Sequence, residues 1–226
     1  MNRDHQLKKA MKKNLMSLFL LLILVVTASA QNNEDKYNKT LTDRAEKIVK
    51  TLSISDSIVF KRLTGILVYQ YKSLGKIHDG RDAAIKSAKE KAGNDKAAFQ
   101  SAEKALQDEA NSQLYNLHCE FIGKLAGDLN AEQIDKVKDG MVFNLIKVTY
   151  SAYLDMIPTL KPEEKQQIYC WLVEARERAI DAQSSNKKHE IFGKYKGRVN
   201  NYLSKQGYNL DKERQAWGER LKAAKK

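Results

Sequence analysis

Proline is nearly absent from this chain: Pro158 and Pro162 are the only two in 226 residues. Both fall between two helical patterns, so the helical periods elsewhere run uninterrupted by a residue that lacks an N–H. Segments that alternate with period two are also few, which argues against a sheet. Cysteine is as scarce, with Cys119 and Cys170 alone. Together with three scattered histidines beyond residue 30 (His78, His118 and His189) they give no zinc signature. Each cysteine sits inside a helical pattern, off the centre of its apolar stripe. The pair therefore reads either as one disulfide of an oxidising compartment or as two buried free thiols. No Gly-rich phosphate loop is present, so neither a metal nor a cofactor is expected.

Long apolar runs are missing too, with one exception at the start. Lys8, Lys9, Lys12 and Lys13 precede an apolar run from Leu15 to Val26, and Ala28-Ser29-Ala30 follows. Basic, then apolar, then small-x-small is the order of a secretory signal, and the run is shorter than the ~20 residues of a membrane-spanning helix. The expectation is an export signal over 1–30, cleaved after Ala30, and a single helical domain over 31–226 without a transmembrane segment. Those thirty residues hold five Lys/Arg and one Asp. Their removal takes the net charge from +12 to +8 and leaves 196 residues, enough for a full core. An exported protein seldom meets nucleic acid. Excess positive charge points instead to anionic glycans, lipid headgroups or cell-wall polymers, or serves solubility alone.

What is abundant is Ala, Lys, Glu and Leu at helical spacing, and the spacing predicts an all-α bundle of about six helices. A short helix over 39–52 buries Leu41, Ala45, Ile48 and Leu52. Asp56 opens a second that reaches Ala92, and the Gly93-Asn94-Asp95 turn leads to a third over 96–126. Asn130 caps a fourth, 131–157, whose second half is apolar on most sides and so belongs at the bundle centre. Lys161-Pro162-Glu163-Glu164 starts a fifth, through Asp181, and a sixth covers 187–205. The tail, 211–226, reads as a weakly amphipathic, Lys-rich helix free to fray.

Two stretches depart from plain core-and-surface patterning. On the second helix, Phe60, Leu63, Leu67, Tyr71, Leu74 and Ile85 form an apolar stripe, and His78 and Arg81 fall on it with Asp82 at its edge. Polar groups on a buried face need partners. These three either pair with one another and with neighbouring helices or line a cleft. On the sixth helix, His189, Phe192, Tyr195, Val199, Tyr202 and Leu203 form the apolar side, while Lys194, Arg198, Asn201 and Lys205 recur at i, i+4, i+7 and i+11 on the other. Aromatic, amide and basic groups in this mixture suit sugars: aromatic faces stack on C–H groups, and Asn, Arg and Lys bond hydroxyls or carboxylates. The bland reading is a solvated basic face over an aromatic core. The ligand-binding candidates are thus His78, Arg81 and Asp82, with Lys194, Tyr195, Arg198, Asn201 and Tyr202. No catalytic set stands out. His118 and Cys119 are adjacent on a helix and point apart, and His118 reads as a packed histidine.

Ile77-His78-Asp79-Gly80-Arg81-Asp82, the segment LNAEQIDKVKDGM (129–141), YLDMIPTL (153–160) and HEIFGKYKGRVNNYLSKQG (189–207), behind an export signal, resemble a family of exported Bacteroidetes proteins. That family is a domain of unknown function with a suggested sugar-binding role. The resemblance spans nearly the whole chain after the signal. It implies a helical domain in a polysaccharide-degrading setting and implies no particular binding residues. LNAEQIDKVK is also similar to the Leu-Thr-x-x-Gln motif of small helical periplasmic stress chaperones, with Asn130 in place of Thr.

Three functions follow as expectations. The first is a non-catalytic, exported binder of polysaccharide, an acidic one in particular, in the periplasm or cell exterior. The second is a periplasmic helper for unfolded or envelope proteins. The third is a polysaccharide-active enzyme such as a lyase, with His78 as base and Arg81 neutralising a uronate carboxylate.

Overall fold

The computed structural model describes residues 34–224, and all of its regular elements are helical. The expected export signal lies outside the described residues. Eight helices follow one another: α1 over 34–50, α2 Ser57–Ala92, α3 Lys96–Ala126, α4 Ala131–Met141, α5 Leu145–Met156, α6 Pro162–Ala179, α7 Ser185–Lys205 and α8 Leu210–Ala223. The all-α expectation holds, with eight helices among the described residues rather than about six. No described helix is long and apolar enough to cross a membrane.

Local chemistry sets most of the boundaries. The Asp56 carboxylate accepts from the backbone N–H of Ile58 and Val59 and so opens α2, and Asp95 does the same for α3 through Ala98. Asn130 and Gln133 close a reciprocal capping box at α4. The Ser184 and Asn209 side chains cap α7 and α8. Gly93, at φ 54°, makes the tight turn between α2 and α3.

One core joins α1 to α7. Ala45 and Val49 of α1 meet Leu63 and Leu67 of α2, Phe121 and Leu125 of α3, Val137 of α4, Leu172 of α6 and Phe192 and Leu203 of α7. Full burial of each such leucine contributes about 1.5–3 kcal/mol. α2 and α3 pair along their length, and α6 lies between α5 and α7. The hairpin of α2 and α3 outruns this core. From Asp79 to Glu109 no residue is buried, and Ala84, Ile85, Ala88, Phe99, Ala102 and Leu106 form only a half-buried seam.

The structure corrects two expectations, the unbroken fourth helix and the reading of the cysteines. The fourth helix does not run through 157. It stops at Met141, and Phe143 (φ 59°) and Asn144 (φ 55°) turn the chain before α5 begins. The Lys188 ammonium, reaching from α7, donates to the Met141 carbonyl at 2.9 Å, and the Asn144 N–H closes on Asp139 O at 2.8 Å. With the break, part of the apolar second half faces outward: Val148 is 60% exposed. Residues Leu210–Ala223 of the tail form α8, which is tied to α5. The Trp217 indole N–H donates to the Asp155 carboxylate, and Arg220 donates to the carbonyls of Asp155 and Met156. Cys119 and Cys170 form no disulfide and are not buried; both thiols are free and exposed.

Candidate functional site

His78, Arg81 and Asp82 come together. His78 is 5% exposed on the inner face of α2. Its Nε2 lies 2.8 Å from the Asp181 carbonyl just beyond α6, and its Nδ1 lies 3.1 Å from Arg81 Nη1. A carbonyl can only accept, so Nε2 carries the proton and Nδ1 accepts from Arg81. The Nδ1 lone pair is thus hydrogen-bonded to the Arg81 guanidinium. Arg81 also donates to Asp82 (Nε at 2.8 Å, Nη2 at 2.6 Å) and to Gln183 Oε1, and Gln183 Nε2 returns a bond to Asp82 at 2.9 Å. The Arg81 guanidinium, helped by Gln183, holds the Asp82 carboxyl below the usual carboxylate range.

The cluster extends to residues that sequence reasoning assigned no role. The Asp181 carboxylate accepts from His118 Nδ1 at 2.7 Å and from Gln70 Nε2 at 3.4 Å. His118 is therefore an ion-pairing residue and not a packed ring. The hydrogen bond to Asp181, followed by that carboxylate's charge, raises its pKa above the ordinary histidine value against the opposing effect of burial. Gln70 lies on the same stripe as His78 and is 1% exposed, so the test that found His78 could have found it. Lys188, four residues before Phe192, could have been found the same way on α7. Burial pushes Lys188 down to about 8. Asp181 and Gln183 sit in the turn after α6, where periodicity carries no signal.

The other candidates form a separate face. Lys194, Arg198, Asn201 and Lys205 are all exposed along one line of α7, while Tyr195 and Tyr202 are half-buried against the core. Arg198 stacks over Trp171 of α6, 4.5 Å from the ring centroid, and pairs with Glu174 at 3.2 Å; Trp171 meets Tyr202 edge-on at 5.3 Å. α7 is fixed here by Tyr153, whose hydroxyl donates to Asn200 Oδ1 at 2.7 Å. At ~1.5 Å per residue, Lys194 and Arg198 lie roughly 15–25 Å along the chain from the Asp181–Gln183 turn. The two predicted groups are not one site.

Two concavities are present at the surface. A groove of about 590 Å³ runs beside the α2–α3 seam past Tyr69, Ile77, Arg81, Glu109, Gln113 and Asn116. A hollow of about 480 Å³ lies between α1 and the α4–α5 break. Among the described residues no three His, Cys, Asp or Glu side chains are grouped to hold a metal ion.

Residues 38–223 match the family described as "Protein of unknown function (DUF3826)". The chain belongs to this family. Its description specifies no ligand or reaction, and no curated protein matches the chain. The membership covers all eight helices in whole or in part, so both predicted groups and both concavities fall on the family's domain.

Proposed function

We propose that this protein is an exported, non-catalytic binding protein for polysaccharide, with anionic polymers as its preferred class. The observation that carries the reading is the line of Lys194, Arg198, Asn201 and Lys205 along α7, exposed together beside the half-buried Trp171 and Tyr202. Cations one to two turns apart suit a repeating anion, and the neighbouring aromatic edges suit sugar rings. The cluster at His78 supports a binding protein more than an enzyme, because its polar groups are already committed to one another.

Arg198 is tied to Glu174 and Trp171, so the cleaner test removes Lys194 and Lys205. In affinity electrophoresis, polygalacturonate and alginate should retard the wild-type chain more than neutral dextran does, and retardation should fall as salt rises. Each exposed cation contributes about 1 kcal/mol or less, so K194A/K205A should weaken binding by roughly three- to tenfold with the melting temperature unchanged. Salt-insensitive binding, or full binding by the double variant, rejects the α7 face as the binding surface. No polymer binding by the wild type rejects the function.

A further inference from the structure

The hollow between α1 and the α4–α5 break carries chemistry that the α7 face does not use. Its volume, about 480 Å³, falls within the ~300–1,000 Å³ of small-ligand pockets. Lys47 and Thr51 line one side; Lys136, Asp139, Phe143 and Asn144 line the other; Ile48 and Gly140 lie between them. The helices meet closely there, since a Cβ on Gly140 would lie 3.0 Å from Ile48 Cγ1.

Backbone strain is concentrated at this place. The non-glycine residues with positive φ among the described residues are Ser53, Phe143 and Asn144. Two of them line the hollow, and Ser53 is two residues beyond Thr51. A bulky residue in the left-handed region costs about 1–2 kcal/mol, and glycine would make the same turn without that cost. The strain presents the Phe143 ring at the surface. The ring is 42% exposed and stacks on His189 at 5.7 Å with 28° between planes. Core packing does not call for an aromatic in this position.

Two lysines, a carboxylate and an amide surround the ring. Lys47 has no carboxylate within ion-pair distance among the described residues, and Lys136 pairs with the exposed Glu132 of its own helix. Asp139 is engaged by the buried Arg176 guanidinium at 3.0 Å, which it shares with Asp135 and Glu177. Asn144 heads α5 without its side chain capping the helix. The backbone N–H groups of Val142, Phe143, Asn144 and Leu145 all donate to carbonyls of residues 139–142. An anion entering the hollow therefore meets side chains and not a nest of backbone donors, which suits a carboxylate on a ring better than a phosphate.

We propose that this hollow is a subsite for one acidic pyranose unit of the hexuronate class. Phe143 takes the apolar face of the ring, Lys47 and Lys136 face its carboxylate, and the Asn144 amide bonds its hydroxyls. The proposal rests on the polysaccharide reading but uses a surface distinct from the α7 line.

The test titrates the full secreted chain with galacturonic acid, trigalacturonate and neutral galactose, by calorimetry and by the NMR signals of the Phe143 and His189 rings. F143G removes the ring while relieving the left-handed strain, so the fold is retained; K47A removes a cation far from the turn. Galacturonic acid should bind the wild type in roughly the millimolar range, shift both ring signals, and exceed galactose by about fivefold or more, the ratio that ~1 kcal/mol gives. Each variant should lose about fivefold. Failure of both acidic probes to bind, or binding by F143G and K47A as strong as the wild type's, overturns the subsite. If polygalacturonate retardation persists in that case and still depends on Lys194 and Lys205, the wider function stands without it. If galacturonic acid binds as expected while the wild type binds no polymer, the subsite stands and the polymer reading falls.

Discussion

The cluster at His78 and the hollow at Phe143 depart from ordinary patterning in opposite ways. In the first, imidazole, guanidinium, carboxylate and amide groups meet one another, from the buried His78 out to the exposed Asp82 and Gln183: His78, Arg81, Asp82, Gln183, Asp181 and His118 form a chain of hydrogen bonds from α2 to α3 through the α6–α7 turn. In the second, an aromatic ring and an amide stand at a strained surface turn, with Lys47 of α1 and Lys136 of α4 lining the same hollow. Polar residues on an apolar stripe mark a place that must be satisfied. Residues held in an unfavourable conformation at the surface mark a place that can receive something. The first kind fixes the relation of helices; the second can bind.

The largest effect that would sharpen this comparison is expected at Asp181. D181A removes the acceptor of His118 and Gln70 and leaves buried polar groups unpaired, so it should lower unfolding free energy by about 3 kcal/mol in urea titration. A loss under 1 kcal/mol would mean that the cluster holds little together. G140A should cost less, about 1–2 kcal/mol, because the new methyl enters the close approach of α4 to Ile48. An unchanged melting temperature there would show that Ile48 yields freely. The smallest effect concerns pH. The folded pKa of His118 is raised, so its pairing with Asp181 contributes fully below the ordinary histidine value and is lost as pH rises through the folded value. H118Q should therefore be less stable than the wild type by about 1 kcal/mol near pH 5.5 and closer to it near pH 9. A deficit that is constant across this range would assign the bond no charge.

The sequence reading went furthest where cause and effect lie close along the chain. Asp56, Asp95 and Asn130 open their helices through donors two or three residues away, and these boundaries were legible. The inward placement of His78 and Arg81 followed from stripe geometry alone. Their partners Asp181 (to His78) and Gln183 (to Arg81) did not, because they lie about a hundred residues on, in a turn without a period. The α4–α5 break was hidden for the same reason. Val142-Phe143-Asn144 contains neither glycine nor proline, and the interruption is completed by a lysine 47 positions from the carbonyl it binds. The hollow was equally out of reach, since it needs α1 beside a turn that the periodicity does not show.

The long hairpin carries a further consequence. Its outer half, Asp79 to Glu109, contains no buried side chain, and an alanine-rich seam joins its two strands of helix. Its opening free energy should thus form a gradient. Amide hydrogens near Gly93 would exchange through small unzipping events, those beside Ala84 and Leu106 through larger ones, and those at Leu67 and Phe121 only when the whole core opens. The tip can therefore open in steps while the core stays closed.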